Sequence, residues 1–126
     1  MTQPLVLVVD DDPDILDAIC DILDAEGYRV ARARHGEEAL AQVEVERPAI
    51  ILLDLMMPVM DGVAFAQALH DRPLDRDIPI VVISADGNPQ RAASVRATGY
   101  LAKPFDIEAL LSQVAGITRA PAAPAR

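Results

Sequence analysis

Residues 5–12 read LVLVVDDD, five leucine and valine side chains followed directly by three aspartates. A continuous apolar run of this length is typical of a strand buried on both faces, as strands in parallel sheets are. Similar runs recur at residues 49–54 and 78–84, and weaker ones lie at residues 28–33 and 100–103. Segments with helical periodicity separate them. This alternation predicts an α/β fold, a doubly wound (βα)5 sandwich with a five-stranded parallel sheet between two helical layers.

Capping and helix-breaking residues mark the predicted helices. The first helix begins after the cap Asp12, with Pro13 in its first turn, and ends before Gly27. The residues predicted to face inward are Ile15, Ile19, Ile22 and Leu23. The other helices are predicted at residues 36–46, after a cap at Asp61, between residues 89 and 98, and at residues 106–116.

The length and charge of the chain indicate how many domains it has and which partners it does not bind. A chain of 126 residues suits one domain, predicted over residues 1–116, with a Pro/Ala-rich disordered tail or linker start at 117–126. Eleven basic and twenty acidic residues give a net charge of −9, which argues against a nucleic-acid interface.

The N-terminus and the cysteine content favour a cytoplasmic protein. The first residues lack the basic segment of a signal peptide, and the longest apolar run is too short to span a membrane. Cys20 is the only cysteine, so an internal disulfide is excluded and a buried, apolar role is expected.

Polar residues follow the predicted strands at the point where each strand ends. Because ligands bind beyond the carboxyl ends of an open parallel sheet, we expect these side chains to gather at one edge. Three close carboxylates repel one another unless a cation joins them, and carboxylate oxygens suit Mg²⁺. The residues concerned are Asp10, Asp11, Asp12, Asp54, Ser84 and Lys103.

Four motifs in this order resemble the receiver domain of two-component response regulators, the phospho-acceptor fold shared with the bacterial chemotaxis regulator. They are VVDDD (8–12), LLDLMMPVMDG (52–62), VVISA (81–85) and YLAKPF (100–105), and the resemblance covers residues 5–116. It implies a flavodoxin-like strand order of 2-1-3-4-5.

The resemblance also implies roles for the acidic residues. Asp54 matches the aspartate that is phosphorylated, Asp11 the direct metal ligand, and Asp10 an acidic partner that acts mainly through water. The backbone carbonyl of Met56 would complete the shell of Mg²⁺, for which Mn²⁺ is an alternative.

Further roles are implied for the switch residues. Ser84 and Ala85 lie where the phosphoryl group would be contacted, and Tyr100 matches the aromatic switch residue. Lys103 matches the lysine that neutralises the phosphoryl group, and its bond to Pro104 is expected to be cis. A compact ammonium on a flexible stem suits this task better than the wider fork of an arginine.

The implied function is a signalling switch rather than an enzyme, with at most self-phosphorylation from small donors and self-dephosphorylation. Its partners would be a histidine kinase or phosphotransfer protein and an unknown downstream protein, with neither nucleic acid nor membrane bound by this domain. A change of the face formed by the fourth helix, fifth strand and fifth helix would carry the signal. The domain would be a monomer or a phosphorylation-dependent homodimer.

Two other functions stay open at this point. The first is a binding module of the same fold that is never phosphorylated. The second is a phosphatase with an aspartate nucleophile, which Asp54-Leu55-Met56 disfavours because the second acidic residue of a D-x-D motif is missing.

Overall fold

The secondary structure follows the predicted alternation closely. A computed structural model describes residues 3–54, 62–72, 77–84, 97–103 and 105–118. Within these ranges the elements are β1 (Leu5–Val9), α1 (Pro13–Ala25), β2 (Arg29–Ala33), α2 (Gly36–Val45), β3 (Ile50–Asp54), α3 (Gly62–His70), β4 (Ile80–Ser84), β5 (Gly99–Ala102) and α4 (Ile107–Thr118).

The five strands form one sheet in the order β2-β1-β3-β4-β5, and every pairing is parallel. This confirms the predicted fold class and strand order. The register aligns Val9 with Ala33 and Leu53, and Ser84 with Ala102. The carboxyl ends of the strands therefore meet at one edge of the sheet.

The three central strands β1, β3 and β4 are buried throughout. Because successive side chains of a strand point to opposite faces of the sheet, these strands contribute to two separate cores, one on each face. One core includes Leu7, Val9 and Leu53 together with Phe65 of α3. The other core packs α1 and α4 against the opposite face.

The ends of α1 agree with the predicted signals. The Asp12 carboxylate accepts hydrogen bonds from the Asp14 and Ile15 backbone N–H groups, at 3.0 and 3.4 Å. Gly27 adopts a φ of 92°, the left-handed conformation that glycine tolerates best after a helix end.

The buried face of α1 differs by about one position from the prediction. Its buried residues are Leu16, Ile19, Cys20 and Leu23. Ile15 and Ile22 are only partly buried, because they flank the strip that is centred on the sheet. The predicted burial of Cys20 is confirmed, and burial raises the pKa of its thiol despite the opposing charge of Arg32.

The last helix is longer than predicted and ends at Thr118. The Thr118 hydroxyl donates to the Val114 carbonyl at 2.8 Å, and Ile117 packs against the core. These contacts extend the helix into the first two residues assigned to the tail. Strand β5 spans Gly99–Ala102, so Lys103 follows it directly.

The cap predicted at Asp61, residues 89–96 of the helix predicted between 89 and 98, and residues 119–126 of the tail lie outside the described residues. Residues 97 and 98 are described and are not helical. The division into domain and tail therefore stays a prediction. Among the described helices, each is too short or too polar to cross a membrane.

Candidate functional site

Three carboxylates meet where β1 and β3 end. Asp10 and Asp54 are almost fully buried, with 2% and 5% of their surface exposed, whereas Asp11 is exposed. One carboxylate oxygen from each residue lies within 4.8 Å of the other two. The sheet thus brings together the three acidic residues that the sequence placed at this edge.

Backbone groups hold Asp10 in place. Its N–H donates to the Ala33 carbonyl at 3.1 Å, which extends the pairing of β1 with β2 by one residue. Its Oδ1 accepts from the Asp12 N–H at 2.9 Å. Because the Asp12 carboxylate caps α1, Asp12 supplies a backbone donor to the site rather than a fourth carboxylate.

Lys103 supplies the cation of the cluster. Its Nζ lies 3.0 Å from Asp10 Oδ2 and 3.5 Å from Asp54 Oδ2, and 15% of its side chain is exposed. Burial by itself would lower the pKa of the ammonium, but the hydrogen bond and charge of Asp10, with the charge of Asp54, raise it above its usual value. Lys103 is therefore held in its charged form.

Ser84 joins the site from β4. It is fully buried, and its carbonyl accepts from the Lys103 N–H at 2.9 Å, so the ends of β4 and β5 are tied together. Five of the residues predicted to lie at one edge of the sheet are therefore found there: Asp10, Asp11, Asp54, Ser84 and Lys103.

Tyr100 lies on β5 opposite Val82 and packs against the core formed by α2 and α3. Its hydroxyl is buried and has no hydrogen-bond partner in the described part of the chain. Gln113 of α4 donates from Nε2 to the Tyr100 carbonyl at 3.4 Å.

Sequence reasoning missed the contact of Gln113 with the edge strand. A Cβ placed on Gly99 would meet the end of the Gln113 side chain, so a larger residue at this position would displace that side chain. The only signal in the sequence is a glycine at the start of a predicted strand, where glycine often marks a close approach of another group.

The other predicted site residues, Met56, Ala85 and Pro104, lie outside the described residues. The metal-binding carbonyl, the phosphoryl contact and the cis peptide bond assigned to them stay predictions.

The donor set fits a small divalent cation. Mg²⁺ binds oxygens at about 2.1 Å, so opposite ligands stand roughly 4.2 Å apart, close to the spread of these carboxylates. Both Asp10 oxygens already accept hydrogen bonds, from Asp12 and Lys103. Among the described residues, the carboxylates of Asp10, Asp11 and Asp54 are the group that could hold such an ion.

Comparison with known proteins gives the same family throughout. The family model of the response regulator receiver domain matches residues 6–115. The transcriptional regulatory protein PrrA of Mycobacterium tuberculosis is 42% identical over 122 residues, which cover 94% of this chain and 52% of PrrA. The chain thus spans about half the length of this curated relative.

Solved structures agree with the sequence match. The chemotaxis protein CheY4 of Vibrio cholerae superimposes with a TM-score of 0.86 at 34% identity, covering 92% of this chain and 99% of CheY4. The receiver domain of the sensor histidine kinase PA1611 from Pseudomonas aeruginosa gives a TM-score of 0.86 at 28% identity, covering 93% of this chain and 98% of its own. That structure has a magnesium ion coordinated in its active site cleft.

Proposed function

Because this chain belongs to the response regulator receiver domain family, we propose that it is a phospho-accepting signalling switch in which Asp54 is the acceptor. The observation that carries the proposal is the Lys103 ammonium, which lies between the buried carboxylates of Asp10 and Asp54. A cation at this place neutralises charge that a transferred phosphoryl group would bring.

The donor would be a histidine kinase or phosphotransfer protein that carries a phosphohistidine. An Asp54 oxygen attacks phosphorus, the phosphorus–nitrogen bond breaks, and the histidine leaves with the bond electrons and takes up a proton. The product is an acyl phosphate on Asp54. Since phosphoryl transfer needs mainly positioning and charge neutralisation, the buried carboxylate and the fixed ammonium supply what the protein must provide.

The metal would be Mg²⁺, with Mn²⁺ as an alternative. Asp11 and Asp54 would hold it directly, with the Met56 carbonyl, and Asp10 would act through water. When bound, the ion neutralises charge on the transferring group. Support comes from the carboxylate cluster and from the magnesium ion in the PA1611 receiver domain.

The switch would run from Ser84 to Tyr100. Phosphorylation adds about −2 charge at Asp54, and such a charge biases an existing equilibrium between two conformations. Ser84, beside Ala85, would move toward the phosphoryl group and leave room for Tyr100. The signal would then alter the face formed by the predicted helix at 89–98, β5 and α4.

The partners and cellular setting are part of the same proposal. The domain would lie in the cytoplasm, act on a downstream protein of unknown identity, and be a monomer or a phosphorylation-dependent homodimer. The domain would act as a regulator without turning over a separate substrate. A longer parent protein, as in PrrA, would add its own output.

The proposal is tested by intact mass after incubation with acetyl phosphate, with and without Mg²⁺. We expect one phosphoryl adduct that needs Mg²⁺ and is missing in Asp54→Asn. Asp24→Asn, which neutralises an exposed carboxylate on α1, is the matched control and should be labelled normally.

Three results would contradict the assignment in different ways. An adduct that persists in Asp54→Asn would move the acceptor elsewhere. Absence of an adduct from both acetyl phosphate and a panel of phosphorylated kinases would favour a binding module that is never phosphorylated. Repeated turnover of a phosphomonoester would favour a phosphatase.

A further inference from the structure

The start of α2 is capped by a histidine. His35 has an extended backbone, with φ −160° and ψ 175°, and its Nδ1 accepts a hydrogen bond from the Glu38 N–H at 3.3 Å. The Glu38 carboxylate in turn accepts from the Arg34 N–H at 2.8 Å. The two side chains thus satisfy backbone donors on both sides of the helix start, in the manner of a capping box.

A histidine cap differs from the usual ones in its dependence on pH. Asn, Asp, Ser and Thr present an oxygen that accepts at any pH near neutrality. An imidazole nitrogen accepts only while it carries no proton, and imidazoles change charge between about pH 5 and 8. A positive charge at a helix N-terminus is also unfavourable, because the helix dipole is positive there.

We propose that His35 makes the start of α2 a pH-sensitive latch, closed while Nδ1 of its imidazole is free to accept the Glu38 N–H and released when that nitrogen is protonated. The proposal concerns a residue outside the acidic cluster and does not depend on phosphorylation of Asp54.

The charged side chains of Arg34, Glu37 and Glu38 do not replace the imidazole of His35 as the acceptor of the Glu38 N–H. The backbone hydrogen bond from Arg34 lowers the pKa of Glu38, so its carboxylate stays charged over this range. Glu37 lies in the same turn, and the Arg34 guanidinium is 3.4 Å from Glu38. A protonated His35 ring can turn toward these carboxylates, but it then no longer accepts the Glu38 N–H.

Among the described residues, one charged pair on the neighbouring elements lies beside α2. Asp17 of α1 and Arg32 of β2 line the groove beside α2, and their side chains lie 2.6 Å apart. Each of these two charges thus has the other as its partner.

His35 is close in sequence to a residue that contacts the acidic cluster. Ala33, two residues before His35, accepts the Asp10 N–H at 3.1 Å. The Asp10 carboxylate in turn accepts a hydrogen bond from the Lys103 ammonium.

Amide hydrogen exchange followed by NMR tests the latch directly. The Glu38 amide is compared with the Ala39 amide, whose bond to the His35 carbonyl at 3.0 Å does not involve the imidazole. From pH 8 to pH 6, corrected for intrinsic rates, we expect Glu38 protection to fall about fivefold relative to Ala39, the effect of losing a typical cap. His35→Asn, which keeps an acceptor at every pH, should remove this fall.

His70→Asn is the matched control, because the chain has only two histidines and His70 ends α3. It should retain the wild-type pH dependence. The same ratio of Glu38 to Ala39 protection at pH 8 and pH 6 in wild type would overturn the proposal. So would an equal fall in His35→Asn.

Discussion

The Lys103 ammonium donates to the Asp10 carboxylate at 3.0 Å although the two residues are 93 positions apart in sequence. Asp54, the proposed acceptor, lies slightly farther away, at 3.5 Å. Asp10 thus fixes the ammonium beside Asp54, so that one cation contacts two buried carboxylates.

Replacing Lys103 should therefore destabilise the fold. In Lys103→Met without divalent cations at pH 7, we expect the free energy of unfolding to fall by about 2 kcal/mol, because buried carboxylates lose their charge partner. Urea unfolding measures the change. Lys103→Arg, which keeps the charge, should lose less, and a Met variant as stable as wild type would disprove the dependence.

The stabilisation by Lys103 should also decrease at alkaline pH. Since folding raises the pKa of Lys103, its contribution is fully present below the ordinary lysine pKa, about 10.4, and is lost as pH rises through its own higher pKa. The stability difference between wild type and Lys103→Met should stay constant below the ordinary lysine pKa and shrink as the pH rises above it. Urea titrations across this range check it, and a constant difference would contradict the pKa shift.

Divalent cations should stabilise the domain through Asp11 and Asp54. At Mg²⁺ about tenfold above its Kd, we expect roughly 1.4 kcal/mol of added stability, because the ion binds only the folded chain. Differential scanning calorimetry should show this rise in wild type and in the control Asp24→Asn. Asp11→Asn should lose most of it, and a full rise in that variant would exclude Asp11 as a ligand.

Removing the Tyr100 hydroxyl should stabilise the unphosphorylated protein. The hydroxyl is buried without a hydrogen-bond partner among the described residues, which costs free energy that a phenylalanine avoids. We expect Tyr100→Phe to gain about 1 kcal/mol in chemical unfolding. Tyr28→Phe, at the other tyrosine, is the control with little change expected. A destabilised Tyr100→Phe would show that the hydroxyl has a partner after all.

The contact between Gly99 and Gln113 should appear as energetic coupling. Gly99→Ala forces Gln113 away from the Tyr100 carbonyl, so we expect a loss of about 1 kcal/mol. In a Gln113→Ala background the obstruction is gone, and the same substitution should be neutral. A double-mutant cycle measures the difference, and additive effects would mean that the two residues do not interact.

Much of this fold could be predicted because its signals are local. The uninterrupted apolar run of β1, the Asp12 cap and the left-handed turn at Gly27 each follow from neighbouring residues. The position of Asp54 was also predictable, since a carboxylate directly after a buried run must lie at the strand end.

Other features depend on tertiary contacts that local sequence patterns do not specify. Histidine is not among the usual capping residues, yet the side chain of His35 caps α2. The buried strip of α1 includes Leu16 beside the expected Cys20, while Ile15 and Ile22 are only partly buried. Both differences arise because side-chain direction is set by packing against neighbouring elements rather than by spacing alone.

The sequence by itself determined the α/β class, the strands and the polar residues at their ends, because periodicity and caps act within a few residues. Only the tertiary structure decided that Lys103 binds Asp10 more closely than Asp54 and that Gln113 covers the edge strand at Gly99. Those contacts join residues from separate elements. Their distances depend on strand order, register and rotamers, which the packing of both cores fixes together.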